Sequence, residues 1–154
     1  MTDENQLSRL AVQKIYIKDL SFESPNSPDI FTESGKPDID IQMHTSARSV
    51  DKEIHEVVLT ITVSAKTEEK TLFLVEIQQA GVFAIQNVEQ EQLGPVLGID
   101  CPTILFPYAR QMISELTTQG GFPPLLMAPV NFDAVFRQHV EQQADSDSSD
   151  NVTH

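Results

Sequence analysis

The order of two hydrophobic periodicities constrains the fold of this chain more than any other feature of its sequence. In the first half, apolar and polar side chains alternate at every second residue, as in half-buried β-strands. After residue 100, apolar side chains instead recur every three to four residues, the spacing of amphipathic helices. Strands followed by helices predict an α+β fold with an antiparallel sheet.

Four strands are predicted, at residues 13–23, 38–44, 54–66 and 71–79. In the first strand the apolar positions change phase after Lys18, which indicates a β-bulge. The last two strands have one apolar face and one more polar face that still contains Leu74. We therefore expect a sheet with one buried face and one wet face.

Helices are predicted after the sheet. An apolar stripe along residues 104–118 is followed by Gly120-Gly121, which predicts a long helix with a glycine stop. Asn131 is a suitable N-cap for a last helix. Residues 88–99 could hold a short helix, which Gly94-Pro95 and Gly98 are expected to make irregular.

Composition divides the chain into three parts. Residues 1–12 are expected to be mostly disordered, and residues 144–154 form an acidic, serine-rich tail that is also expected to be disordered. Residues 13–143 then form one domain, and a domain of this size can bury a sizeable core without disulfides or metals.

The net charge of −13 limits the class of partner. Affinity for nucleic acid comes mainly from Lys and Arg, so we expect neither nucleic acid nor an anionic membrane surface to bind. A basic protein partner would complement the charge. An acidic surface that only keeps the protein soluble explains the charge equally well.

Localisation is predicted from what the sequence lacks. The polar start Met1–Gln6 does not resemble a signal peptide. The longest apolar stretch, 72–77, is far too short to cross a bilayer and contains Glu76. The single cysteine, Cys101, fits a reducing compartment. These features predict a cytoplasmic protein that does not insert into membranes.

The residue patterns typical of enzymes and metal sites are missing from the sequence. The four histidines lack a second His or Cys at zinc-ligand spacing. Cys101 has no base or cation nearby in the sequence to activate it, and strand alternation explains the neighbouring carboxylates Asp38 and Asp40. Nucleotide-binding and hydrolase motifs do not occur. We therefore predict a non-enzymatic protein with no cofactor and no metal site.

Strand alternation groups two candidate surfaces. Asp19 and Glu23 point to the same side of the first strand, and Leu74 and Glu76 share a side of the fourth. On a common face they would form an acidic platform for a basic, partly apolar peptide. Separately, three apolar residues of the second strand, beside a loop phenylalanine, could line a groove for extended chains: Ile39, Ile41, Met43 and Phe31. Strand faces are also often core, and surface carboxylates are common.

Four separated segments resemble the family of the bacterial protein-export chaperone SecB, in family order over about residues 14–143. They are residues 14–28, Val75–Ile85, Cys101–Arg110 and Phe122–Phe136. The resemblance implies a four-stranded antiparallel sheet with a long helix and a C-terminal helix packed on one face, assembled as a homotetramer that is a dimer of dimers. It also implies ATP-independent binding of unfolded secretory precursors (preproteins) in extended hydrophobic grooves. The chaperone would keep them translocation-competent and deliver them to the SecA ATPase at the Sec translocon.

The resemblance also assigns site residues. The basic, zinc-containing C-terminal segment of SecA would bind at Asp19, Glu23, Leu74 and Glu76, and its zinc would belong to SecA. The client groove would include Phe22, Phe31, Ile39, Ile41 and Met43. Many family members have a Trp near residue 35, where this chain has Gly35, so an aromatic wall of the groove is expected to be thinner. The alternative function is a scaffold or antitoxin-linked chaperone of the same fold, dedicated to one protein partner.

Overall fold

The computed structural model describes residues 7–68 and 70–150. Four strands form one antiparallel sheet in the order β1-β4-β3-β2, with β4 and β3 in the centre. Their bounds are β1 Arg9–Glu23, β2 Asp38–Asp51, β3 Ile54–Thr67 and β4 Lys70–Gln86. The predicted bulge in β1 is confirmed, because the register with β4 shifts between Ile17 and Asp19.

The helices follow the sheet. Their bounds are α1 Gln90–Pro95, α2 Cys101–Gln119 and α3 Phe132–Asp150, with one stretch of π-helix, Val96–Asp100, joining α1 to α2. The predicted fold is therefore confirmed: a four-stranded antiparallel sheet, a long helix and a C-terminal helix. No helix in the described part of the chain is long and apolar enough to cross a membrane.

The core lies between α2 and one face of the two central strands. Leu59 and Ile61 of β3 and Ile77 of β4 are fully buried there. Helix α2 covers them with residues at helical spacing, including Leu105 and Ile113, which are also fully buried. The sheet therefore has one face packed by helices and one face without helices, as its alternating strands predict.

The C-terminal end of α2 is fixed by its glycines and by a buried threonine. Gly121 has φ +91°, a conformation that side chains disfavour, and its N–H donates to the Thr118 carbonyl at 3.1 Å. The Thr117 hydroxyl is buried and accepts a hydrogen bond from the Leu125 N–H at 3.0 Å. The loop after α2 is thereby held against the helix.

Helix α3 has the predicted N-cap and rests on two close contacts. The Asn131 side-chain oxygen accepts a hydrogen bond from the Ala134 N–H at 3.1 Å. The Phe132 ring packs on Phe106 with 5.9 Å between ring centres. A Cβ added at Gly98 would lie 2.5 Å from the Phe136 ring, so the π-helical segment needs glycine to admit α3.

Two predicted segment ends differ from the observed elements. Strand β1 begins at Arg9, within the segment predicted to be mostly disordered, and α3 continues to Asp150, within the predicted tail. Residues 1–6 and 151–154 lie outside the described residues. The division of the chain at residues 12/13 and 143/144 stays a prediction.

Candidate functional site

The helix-free face of the sheet brings together the four residues of the predicted acidic platform. In the β1–β4 pairing Glu23 lies opposite Leu74, and Asp19 lies opposite Gln78. Side chains of opposite residues in an antiparallel pair project from the same face. Glu76 is two residues from both Leu74 and Gln78, so it shares that face. The condition for a common platform is therefore met.

The carboxylates of the platform are available to a ligand. Asp19 and Glu23 are exposed, Leu74 is 36% exposed and Glu76 is half-buried. Within the described residues, the carboxylates of Asp19, Glu23 and Glu76 make no hydrogen bond or ion pair. A basic segment could approach them without first displacing an internal cation.

The acidic character of this face extends across the sheet. Leu74 pairs with Ser64 of β3, and Ser64 pairs with Asp40 of β2, so one row crosses all four strands from Glu23 to Asp40. With adjacent strands about 4.8 Å apart, the row is about 14 Å wide. Asp40 was attributed to simple strand alternation, and it does lie exposed on the wet face.

In the other half of the same face, a buried glutamate binds side chains from both edge strands. Glu56 of β3 is 6% exposed, and its carboxylate accepts hydrogen bonds from the Tyr16 hydroxyl, from Lys18 Nζ at 3.0 and 3.1 Å, and from Arg48 Nε at 3.1 Å. The donors come from both edge strands, so the contacts tie β1 and β2 to the centre of the sheet.

The electrostatics of this cluster keep Glu56 ionised. The hydrogen bond from Tyr16 lowers the pKa of Glu56 to about 2, against the opposing effect of burial, and Lys18 and Arg48 act in the same direction. Burial, together with the bond to the carboxylate, raises the pKa of Tyr16 to about 12. Sequence reasoning missed this cluster because nothing in the local pattern of Glu56 indicates which distant donors reach it.

The predicted groove residues lie on the opposite, helix-bearing side. Phe22 stacks on Phe73 with 6.1 Å between ring centres, Phe73 meets Phe122 at 5.1 Å, and Phe122 meets Phe31 at 5.3 Å. Phe22 and Phe31 are thus the two ends of one chain of four rings. Phe31 remains 49% exposed at its end.

The remaining groove residues lie along the edge strand β2. Ile39 and Ile41 are opposite Ala65 and Val63, which are fully buried in the core, yet they are themselves 39% and 38% exposed. Met43 is half-buried and lines a cleft of about 300 Å³ beside α3, together with Phe132 and Phe136. Ile39, Ile41 and Met43 therefore lie on one face of β2. The two isoleucines are exposed along the strand, whereas Met43 lies in the cleft beside α3.

Leu126 is an exposed apolar residue that was not predicted. Leu126, in the loop between α2 and α3, is 69% exposed. The loop lies outside any periodic segment, so alternation could not assign its side chains to a face. The only available signal was an apolar residue inside a proline-rich connection.

Of the residues considered for enzymatic chemistry, Asp40 lies on the acidic face, whereas Cys101 lies in the core, apart from both surfaces. Cys101 is fully buried, and that burial raises the pKa of its thiol to about 12, so it stays protonated at neutral pH. In the described ranges, no three His, Cys, Asp or Glu side chains are grouped closely enough to hold a metal ion.

Comparison with known proteins gives consistent matches over nearly the whole chain. A family model described as "Preprotein translocase subunit SecB" matches residues 3–143. The protein-export protein SecB of Dechloromonas aromatica is 48% identical over 142 residues, which cover 92% of this chain and 93% of that protein. The protein-export protein SecB of Nitrosococcus oceani is 48% identical over 155 residues, covering 99% and 94%.

A solved structure has a similar fold. It is a SecB-like chaperone of Mycobacterium tuberculosis in complex with a peptide from an antitoxin. The TM-score is 0.67, and the match covers 79% of this chain and 91% of that chain. The sequence identity is 14%, so the likeness concerns the fold alone.

Proposed function

The chain belongs to the SecB family and is a chaperone for preprotein export, and on this basis we propose how it performs that role. It binds unfolded secretory precursors in extended hydrophobic grooves without ATP. It keeps them translocation-competent in the cytoplasm and delivers them to the SecA ATPase at the Sec translocon. Family membership assigns a chaperone rather than an enzyme, so the proposal names no catalytic residue.

The observation that carries client binding is the exposure of Ile39 and Ile41 along an edge strand. Both project from the face whose neighbouring strands form the core, yet each remains more than a third exposed. Folded proteins hide their apolar segments, so an exposed apolar strip selects unfolded chains without needing a sequence code. Phe31, at the open end of the ring cluster, would add an aromatic contact.

We assign SecA binding to the acidic platform, defined by Asp19, Glu23, Leu74 and Glu76. The carboxylates have no described internal partner, and Leu74 supplies an exposed apolar contact between them. A basic segment that is partly apolar would complement this surface. The platform and the proposed groove lie on opposite faces of the sheet, so the two ligands would not compete for the same side chains.

Assembly as a tetramer is supported by apolar surface elsewhere on the chain. Strand β1 is at the sheet edge and exposes three large apolar residues, Val12, Ile17 and Leu20, at 45%, 41% and 36%. Tyr108 of α2 is 52% exposed and lines a shallow depression with Ile17. An exposed edge with apolar residues is normally covered, and a second copy of the chain would cover it. Light scattering should then give the mass of four chains.

Holding activity is tested with several unrelated denatured proteins. The chaperone should suppress aggregation of most of them in the absence of nucleotide, because the groove contacts are not sequence-specific. Capture of a single protein only would favour the dedicated scaffold. Failure to bind any denatured chain would refute the proposed function.

SecA binding is tested by charge reversal. Changing Glu23→Lys together with Glu76→Lys should abolish binding of SecA while leaving aggregation suppression intact, because the groove is on the other face. Glu91→Lys with Glu141→Lys, two exposed carboxylates away from the platform, is the matched control. Unchanged SecA affinity in the first variant would show that the platform is not the site.

A further inference from the structure

The helix-free face is divided by charge. Its acidic half carries the platform, and this half ends at a row that crosses the sheet through Asp19, Gln78, Thr60 and His44. Beyond that row the same face carries four cations against two carboxylates: Arg9, Lys14, Lys18 and Arg48 against Asp51 and Glu56. In a chain with 10 Lys and Arg against 23 Asp and Glu, this is a local reversal of charge.

The cations of this second half are held in place. Glu56 binds Lys18 from one edge strand and Arg48 from the other, so both side chains are drawn toward the centre of the face. One carboxylate neutralises only one of them, and a net positive charge remains. Their side chains are 42% and 66% exposed, so the remaining N–H donors can reach solvent.

Arg48 is especially suited to bind a further carboxylate. Its Nε atom donates to Glu56, whereas its two Nη atoms have no described partner among the residues that the structure covers. A guanidinium binds a carboxylate through two parallel N–H donors, and the geometry is fixed when the group is already anchored at one side. The group faces a depression of about 460 Å³ whose charged lining side chains are Lys18, Arg48 and Glu56. Its polar lining side chains include His44, Ser46, Thr60 and Gln78.

We propose that this depression receives an Asp or Glu side chain of the same polypeptide segment whose basic residues bind the platform. The inference rests on the proposed function of the platform. Along β3, Glu56, which pairs with Arg48, is four residues from Thr60, whose row contains Asp19, so the Arg48 backbone lies about 13 Å along the strands from that row. An extended partner would therefore carry its acidic residue about four positions beyond its basic residues.

The test uses synthetic peptides with three lysines at alternate positions. One peptide has only neutral residues after the lysines, and two others carry a glutamate four positions after the last lysine or before the first. At least one glutamate peptide should bind roughly two- to five-fold more tightly than the neutral peptide, as expected for an exposed ion pair. Equal affinity of all three peptides would overturn the inference.

Two variants test whether the higher affinity of the glutamate peptide comes from contacts in the depression. Arg48→Gln keeps an amide that can donate to Glu56 but removes the charge, and it should abolish the advantage of the glutamate peptide. Lys52→Gln, at the turn between β2 and β3, makes the same change in charge and should preserve the advantage. If the advantage survives Arg48→Gln, the inference is wrong. If even the neutral peptide fails to bind, the platform itself is refuted, which is a different outcome.

Discussion

At the scale of single residues, Glu56 is the clearest case of a side chain whose importance depends on distant partners. It is buried, yet three donors from two other strands satisfy its carboxylate. A buried carboxylate is costly unless it is hydrogen-bonded, so loss of the donors would leave a large penalty. Tyr16, Lys18 and Arg48 are therefore structural partners as well as surface groups.

Glu56→Gln should destabilise the protein in a pH-dependent way. The pKa of Glu56 is lowered to about 2 in the folded state, below its ordinary value of 4.5, so its ionised form stabilises the fold above pH 4.5. We expect a loss of about 1–3 kcal/mol at pH 7. The difference from the native chain should shrink as the pH falls toward 2.

Urea unfolding at fixed protein concentration, at pH 7 and at pH 3, measures this effect. Glu76→Gln is the control, since Glu76 has no described partner and its removal should change stability little at either pH. A Glu56→Gln deficit that is as large at pH 3 as at pH 7 would contradict the role given to the ionised carboxylate.

At the scale of secondary-structure elements, alternation predicted that each strand exists and where β1 ends, but not the full length of β2 and β4. The predicted β2 ends at residue 44, whereas pairing with β3 continues the strand to Asp51, through Thr45 and Ala47, whose apolar pattern is weak. Similarly, Ala80 and Gly81 interrupt the pattern of β4, which runs to Gln86 between two partner strands. Strand length was decided by neighbours that the sequence does not show.

Alternation was enough to group the four platform residues on one face, but not to group the groove residues in one place. The platform needs only two strands in register, which an antiparallel β1–β4 pair supplies. The groove also depends on the loop after α2 and on the ring contacts of Phe122, which no periodicity specifies. The residues of the second half of the helix-free face were missed for another reason. Lys18 is the unpaired residue of the β1 bulge, which re-aims its side chain.

The edge strand β2 should lose client binding when its apolar strip becomes charged. Ile39→Lys combined with Ile41→Lys should weaken capture of denatured proteins at least several-fold, because lysine there disfavours both apolar contact and strand pairing. Val50→Lys is the control, because Val50 lies on the same strand and is 50% exposed but is the unpaired residue of its bulge. Unaltered capture by the double variant in an aggregation assay would exclude β2 from the groove.

Gly98→Ala should weaken the packing of α3 on the π-helical segment. The new methyl group would lie 2.5 Å from the Phe136 ring, so the helix must move or the ring must rotate. A cost of about 1–3 kcal/mol is typical of such overpacking. Hydrogen exchange of α3 amides should become faster. In a Phe136→Ala background, where the ring is gone, the glycine change should have little further effect, and an undiminished effect would contradict the contact.

At the scale of the whole molecule, the two proposed ligands are held by different forces. The platform contact is electrostatic and exposed, so salt screens it, whereas the groove contact is apolar. Raising the salt concentration should therefore weaken SecA binding more than client binding, as measured by calorimetry. Equal salt sensitivity of the two affinities would contradict this division.

Because the sheet is one layer thick, binding of a client on one face could affect binding of SecA on the other. Phe73 and Leu74 are consecutive in β4, but the first touches the aromatic rings on one side and the second lies among the carboxylates on the other. A displacement of the β4 backbone by a docked ATPase would reach the ring cluster through a single peptide unit. Communication between the loaded and docked sides would then require no relay of intervening side chains.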